Sequence, residues 1–256
     1  MCGIAGILDY NGRANKIEMM KSMLRSISFR GPDESGIYHS IFACLGNVRL
    51  SIIDISGGQQ PLSDSTGRYW IVFNGEIFNY KELRSELEEK GISFKTTSDT
   101  EVLIELFSIY GKKCLELLNG QFAFAIWDKK AEEIFIARDR VGIRPLYYNI
   151  NDGVFSFASE IKSLLQQKSI PRKFNIESLS QIYTFWTTIS PGTAFKNIYE
   201  LSPGHCMSFS RNGLKVEKYW ELSFDDSNSR LSLDEAKERL NEILDSAVSL
   251  RLRADV

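Results

Sequence analysis

Nine short runs dominate the first two hundred residues and limit what this chain can become: CGIAGIL, SGIYHSI, RLSIIDI, YWIVFNG, QFAFAIWD, EIFIARD, PLYYNI, VFSFAS and GHCMSFS. Most are rich in β-branched or aromatic residues and are bounded by Gly, Asn or Asp, as strands should be. Helical patterns lie among them without strict alternation. Residues 15–28 place Ile17, Met20, Leu24 and Ile27 on one face, and residues 79–90 place Leu83 and Leu87 likewise before Gly91. Asp99 can cap a third helix, DTEVLIELFSIYG. A doubly wound parallel sheet would alternate strand with helix. This order instead predicts an α+β fold of two mainly antiparallel sheets packed face to face, with helices outside.

Composition narrows the function. The 256 residues are 43% hydrophobic and 25% charged with a formal net charge of −2, so no electrostatic footprint for nucleic acid or an anionic membrane stands out. No apolar run approaches the about 20 residues that span a bilayer. A secretory signal needs a basic start and a longer apolar run, whereas Asp9 and Asn11 end the first one early. A cytoplasmic protein with reduced thiols is expected, because Cys2, Cys44, Cys114 and Cys206 are scattered and never form Cys-x-x-Cys. The two histidines, His39 and His205, leave little for a metal site or a cysteine–histidine dyad, and no metal is assigned.

The character changes after residue 220. ELSFDDSNSR, 221–230, reads as a linker. Beyond it, Ser232-x-x-Glu235 forms a capping box ahead of a stripe of Leu233, Ala236, Leu240, Ile243, Leu244 and Ala247. That apolar face needs a partner, and the chain stops at Val256. The expectation is a first domain over 1–210, then, over 211–256, a linker and the first helix of a truncated second domain.

Cys2 directly follows the initiator methionine. Removing Met1 would leave a thiol and a free α-amine on one residue. A thiol of pKa about 8.5 is only a few per cent ionised at neutral pH, but an α-amine near 7.7–8.0 can shuttle its proton. Gly3 and Gly6 would let backbone or substrate come close.

Eight stretches then occur in a telling order: Cys2-Gly3-Ile4, RGPDESG, RLSIID, NGEIFNY, TSDTEV, GQFAFAIWD, ARDRVGIRPLYY and ASEIKSLL. Together they resemble the glutaminase half of glutamine-hydrolysing asparagine synthetases, strongly over residues 2–165 and more weakly to 256. The resemblance implies a class II glutamine amidotransferase of the N-terminal-nucleophile hydrolase type, a four-layer αββα sandwich. It implies that Cys2 attacks the side-chain amide of L-glutamine to form a γ-glutamyl thioester and release ammonia, and that Asn74 and Gly75 form the oxyanion hole. Alone, the Asn-Gly pair would also suit a type I′ turn.

The resemblance further assigns Arg49 to the glutamine carboxylate and Asp99 to its ammonium, residue types that suit those charges. Glu76 and the backbone at Ile52 match other pocket positions. Asn47 and Val48 stand where a histidine or arginine is more usual, which leaves pocket shape open. Arg30 and Asp33 of RGPDESG read as residues tying loops together, and RPLYY as core. ISGGQQP, 55–61, superficially resembles the ATP pyrophosphate loop of the synthetase half but lacks its Asp-Ser, so a loop before Pro61 is expected. No cofactor is implied for glutamine hydrolysis. ATP and Mg are implied only for the missing synthetase domain, the expected partner unit that takes aspartate. A homodimer is allowed but not specified. An amidotransferase serving a sugar or antibiotic precursor, and a non-catalytic glutamine-binding module, remain alternatives.

Overall fold

A computed structural model describes residues 1–12, 15–224 and 231–255. Its strands are β1 (Gly3–Asp9), β2 (Glu34–His39), β3 (Ala43–Arg49), β4 (Leu62–Ser63), β5 (Tyr69–Ile77), β6 (Gly120–Asp128), β7 (Glu133–Arg138), β8 (Tyr147–Asn151), β9 (Val154–Ala158), β10 (Tyr199–Glu200), β11 (His205–Ser210) and β12 (Gly213–Lys218). The helices are α1 (Lys16–Ser26), α2 (Tyr80–Glu89), α3 (Asp99–Tyr110), the short α4 (Cys114–Leu117) and α5 (Ile161–Leu164), then α6 (Ile176–Phe185) and α7 (Leu233–Arg251). One sheet runs β10-β8-β9-β1-β3-β2 and the other β12-β11-β7-β6-β5-β4. The paired strands are antiparallel throughout the described residues.

Three apolar layers hold four structural ones together. β1 shows why its sequence carries no polar alternation: Ile4 and Leu8 face the second sheet, while Ala5 and Ile7 face α1. A strand covered on both faces reads as a continuous apolar run. Between the sheets lie Trp127, Phe155, Phe157 and Leu45. Met20, Met23, Leu24 and Ile27 cover the outer face of the first sheet. Leu83, Leu87, Val102 and Leu106 cover that of the second, against Phe73 and Phe124. The αββα sandwich expected from the sequence is the fold observed.

Several local expectations change. RLSIIDI is not a strand: pairing ends at Arg49, and 50–55 turn away as a loop with Asp54 at φ +51. The strand is the preceding ACLGNVR. Met23, not Ile17, completes the buried face of α1, and Ile17 is exposed. Ser98, not Asp99, caps α3 by accepting from Glu101 N–H at 3.2 Å. Gly6 makes room for a side chain rather than for backbone or substrate, since a Cβ there would lie 1.9 Å from the Phe157 ring. The second sheet continues through β12, past the division expected at 210. Residues 225–230 of the expected linker lie outside the described residues.

α7 starts at the expected capping box, with Ser232 N–H donating to Glu235 Oε2 at 2.8 Å and Ser232 Oγ accepting from Glu235 N–H at 3.3 Å. Leu240, Ile243 and Leu244 on its stripe are exposed. Among the described residues, no helix is long and apolar enough to cross a membrane.

Candidate active site

A cleft of about 480 Å³, open mouth included, lies where β1 begins, beside the loop after β3, the end of β5 and the start of α3. Its walls include Met1, Cys2, Ile52, Asn74, Gly75, Glu76 and Asp99. Six of the residues singled out from sequence therefore meet at one place, though they span almost a hundred positions.

Cys2 is placed by register. Gly3 pairs with Val48, which sets the thiol against the first residue beyond β3. Its Sγ accepts from Leu50 N–H at 3.4 Å and donates to the Leu50 carbonyl at 3.5 Å. Burial pushes the thiol pKa above its usual range and Asp99 adds to the rise, while the Leu50 contact, the terminal amine and Arg49 pull the other way. Burial likewise lowers the pKa of the Met1 amine.

Asn74 and Gly75 sit inside the nine-residue strand β5, opposite Ala123 and Phe122, so the pair is no turn. A Cβ at Gly75 would come within 2.2 Å of the Gln121 carbonyl oxygen and 2.7 Å of Phe122 Cα. Asn74 is fully buried, yet neither Oδ1 nor Nδ2 of its side chain has a hydrogen-bond partner among the described residues. Such an orphaned amide costs about 1–3 kcal/mol. A buried polar group left free at a cleft wall marks a place where a ligand can complete the bonding.

Asp99 opens α3 and accepts from Ile77 N–H at 3.0 Å through Oδ2. Burial pushes its carboxyl up to about 7, and neighbouring Glu76 adds to that rise. Burial also raises Glu76, against the opposing pull of Gln121, Arg144 and Arg251. A cation placed between these carboxylates would stabilise both.

Arg49 is not among the residues lining the cleft. Its Nη1 bonds Glu34 Oε2 at 3.0 Å and the Ile55 carbonyl at 3.2 Å, and its Nη2 bonds the carbonyls of Ile53 and Asp54 at 3.0 and 2.6 Å. The guanidinium thus gathers the 53–55 loop into the wall. Gly57 and Gly58 of ISGGQQP complete that loop: a Cβ at Gly57 would press on the Asp54 carboxylate at 2.7 Å, and one at Gly58 on Arg49 Nη2 at 2.4 Å. The glycines that mimic a phosphate loop are required here for close packing.

Some wall residues escaped the sequence reading. Arg144, read as part of a core strand, lines the cleft, with its guanidinium against the Met1 sulfur and its Nε buried without a partner among the described residues. Burial lowers its pKa. Asp139 fixes its backbone by accepting Arg144 N–H at 3.0 Å. Gln60 bridges two walls, accepting Phe73 N–H at 2.7 Å and donating to Thr100 Oγ1 at 3.2 Å. Asp33 ties loops as expected, through Ser51 N–H at 2.8 Å. Arg30 does more, because its Nε holds the carbonyl of Cys2 itself. An arginine inside an otherwise apolar run such as GIRPLYY was the available signal for Arg144.

Residues 1–220 match a family model described as the glutamine amidotransferase domain. The chain belongs to the glutamine amidotransferase family. This amidotransferase is 36% identical over 260 residues to asparagine synthetase (glutamine-hydrolyzing) 3 of Bacillus subtilis strain 168, matching all of this chain and 42% of that protein. With asparagine synthetase (glutamine-hydrolyzing) 1 of the same strain the identity is 38% over 262 residues, matching all of this chain and 41% of that protein. The chain therefore spans about two fifths of the length of these curated relatives. Among solved structures, glutamine phosphoribosylpyrophosphate amidotransferase from B. subtilis with ADP and GMP superposes with a TM-score of 0.65 at 24% identity, covering 86% of this chain and 50% of that one. That likeness establishes the shared sandwich.

Proposed function

We propose that this amidotransferase hydrolyses L-glutamine to glutamate and ammonia through a γ-glutamyl thioester on Cys2. The observation that supports it most is the unpaired, fully buried Asn74 amide in the same cleft as the Cys2 thiol. Removal of Met1 converts the Cys2 nitrogen from an amide into an amine. That amine takes the thiol proton, and the thiolate forms a C–S bond to the glutamine side-chain carbonyl carbon. The oxygen anion accepts from Asn74 Nδ2 and the Gly75 N–H, and a donor of this kind typically contributes about 2.7–4 kcal/mol. The α-ammonium returns the proton to the departing nitrogen as the C–N bond breaks, releasing ammonia. Water then attacks the thioester, giving glutamate and the free thiol.

Asp99 and Glu76 receive the substrate ammonium. Arg49 receives the carboxylate by exchanging the Ile55 carbonyl, the longest of its four guanidinium bonds, for a substrate oxygen. Ile52 supplies backbone to the wall. The amidotransferase unit on this reading ends with β12 rather than at 210, and the chain beyond β12 leads into a synthetase unit. There, ATP with Mg would activate aspartate for the ammonia, in a cytoplasmic enzyme resembling the synthetases above. Purified protein incubated with glutamine should release glutamate, and Cys2→Ala should not. Equal release by both proteins rejects the assignment.

A further inference from the structure

The segment that closes α7 returns to the wall of the cleft. Asp255 N–H donates to the Ile52 carbonyl at 3.1 Å, and Asp255 Oδ2 accepts Asp54 N–H at 2.8 Å. Two residues earlier, Arg253 Nη1 reaches both carboxylate oxygens of Glu82 on α2, at 2.5 and 2.8 Å. Two residues before that, the Arg251 guanidinium lies 4.4 Å from the Phe78 ring centre. Alternate residues of one short stretch thus grip three separate points on the body of the amidotransferase.

The loop they reach is held from the other side as well. Arg49 binds its carbonyls at 53, 54 and 55, and the Asp54 carboxylate is occupied by Gly57 N–H at 2.8 Å and Thr97 N–H at 2.7 Å. The Asp54 N–H points outward to Asp255, 201 positions further along the chain. Ile52 and Ile53, flanked by these bonds, line the cleft.

We propose that Asp255 is a positioning residue for glutamine: its two-point clasp on Ile52 and Asp54 fixes the cleft wall and couples the segment after α7 to glutamine affinity. The proposal rests on the glutamine reading of the cleft. Coupling of this kind is reciprocal, so glutamine in the cleft tightens the 251–255 segment by the same factor by which that segment tightens glutamine.

Steady-state glutaminase kinetics test it. Asp255→Ala should raise the glutamine KM by roughly five- to tenfold, the loss of one charge-assisted bond, and leave kcat within about twofold. Asp255→Asn keeps a carbonyl acceptor for Asp54 N–H and should restore KM to within about twofold of the parent. An unchanged KM in the alanine variant, or an asparagine variant as impaired as the alanine one, overturns the proposal. Hydrogen exchange supplies a readout without turnover: Asp255→Ala should speed exchange of the Asp54 amide, and unchanged exchange also overturns the clasp. A parent protein that turns over no glutamine rejects the functional reading instead, and exchange at Asp54 still decides whether the clasp exists.

Discussion

Arg30 donates from Nε to the carbonyl of Cys2 at 2.9 Å and from Nη1 to Glu160 at 2.9 Å, tying the Cys2 backbone to the residue that precedes α5. Cys2 precedes β1 and has no strand partner of its own, so this bond holds a backbone that the sheet ladder does not. Arg30→Ala should lower kcat by roughly 10–100-fold with a much smaller change in KM, because it displaces the attacking atom rather than the substrate pocket. Steady-state kinetics on glutamine separate the two parameters.

Glutamine binding should weaken as the pH falls through about 7, where Asp99 becomes protonated and loses its attraction for the substrate ammonium. The stability effect has the opposite sense. Because the folded-state pKa is raised above the ordinary carboxylate value, folding favours the neutral acid, and that relative stability fades as pH rises from about 4 towards 7. Asp99→Asn should therefore abolish tight glutamine binding, match the parent in stability near pH 4, and exceed it by a few kcal/mol above pH 7. Urea unfolding at acid and alkaline pH, with calorimetric titration of glutamine, checks both signs.

Gly75→Ala should be both inactive and less stable. The added methyl meets the backbone of β6 at 2.2 and 2.7 Å, which cannot step aside without opening the sheet. Overpacking of this kind costs about 1–3 kcal/mol. A chemical unfolding midpoint beside a glutamate assay tests the pairing of the two losses.

Processing of the terminus should decide activity. Met1 lines the cleft, and while it is attached the Cys2 nitrogen is an amide that cannot carry the proton. Inserting a bulky residue between Met1 and Cys2, so that Met1 is retained, should leave no measurable glutaminase. The active parent should have an intact mass lacking one methionine. Full activity of a verified Met1-retaining form contradicts the proposed base.

Much of this was legible in the residues. The sandwich could be read because strand-like runs outnumber helical ones and do not alternate with them, and because strands such as β1, apolar on both faces, leave no side for water. Cys2, Asn74, Gly75, Glu76 and Asp99 could be brought together only by an ordered set of motifs, since long-range pairing sets β1 against β3 in one sheet and β5 against β6 in the other. RLSIIDI misled because its β-branched composition suits a strand, whereas Arg49 draws the carbonyls after it into a loop. Asp99 misled in a smaller way: Ser98, one position earlier, supplies the cap and leaves the carboxylate free to face the cleft. Arg144 gave no periodic signal, because its place in the wall comes from the turn that Asp139 organises.

The other three cysteines lie buried, Cys44 and Cys114 with thiols pushed up to about 12 and Cys206 to about 11. A thiol-directed alkylating reagent applied to the folded molecule at neutral pH therefore has one accessible thiol to modify. Incorporation beyond a single label then reports unfolding, so the stoichiometry of adducts is at once a count of accessible Cys2 thiols and a gauge of integrity.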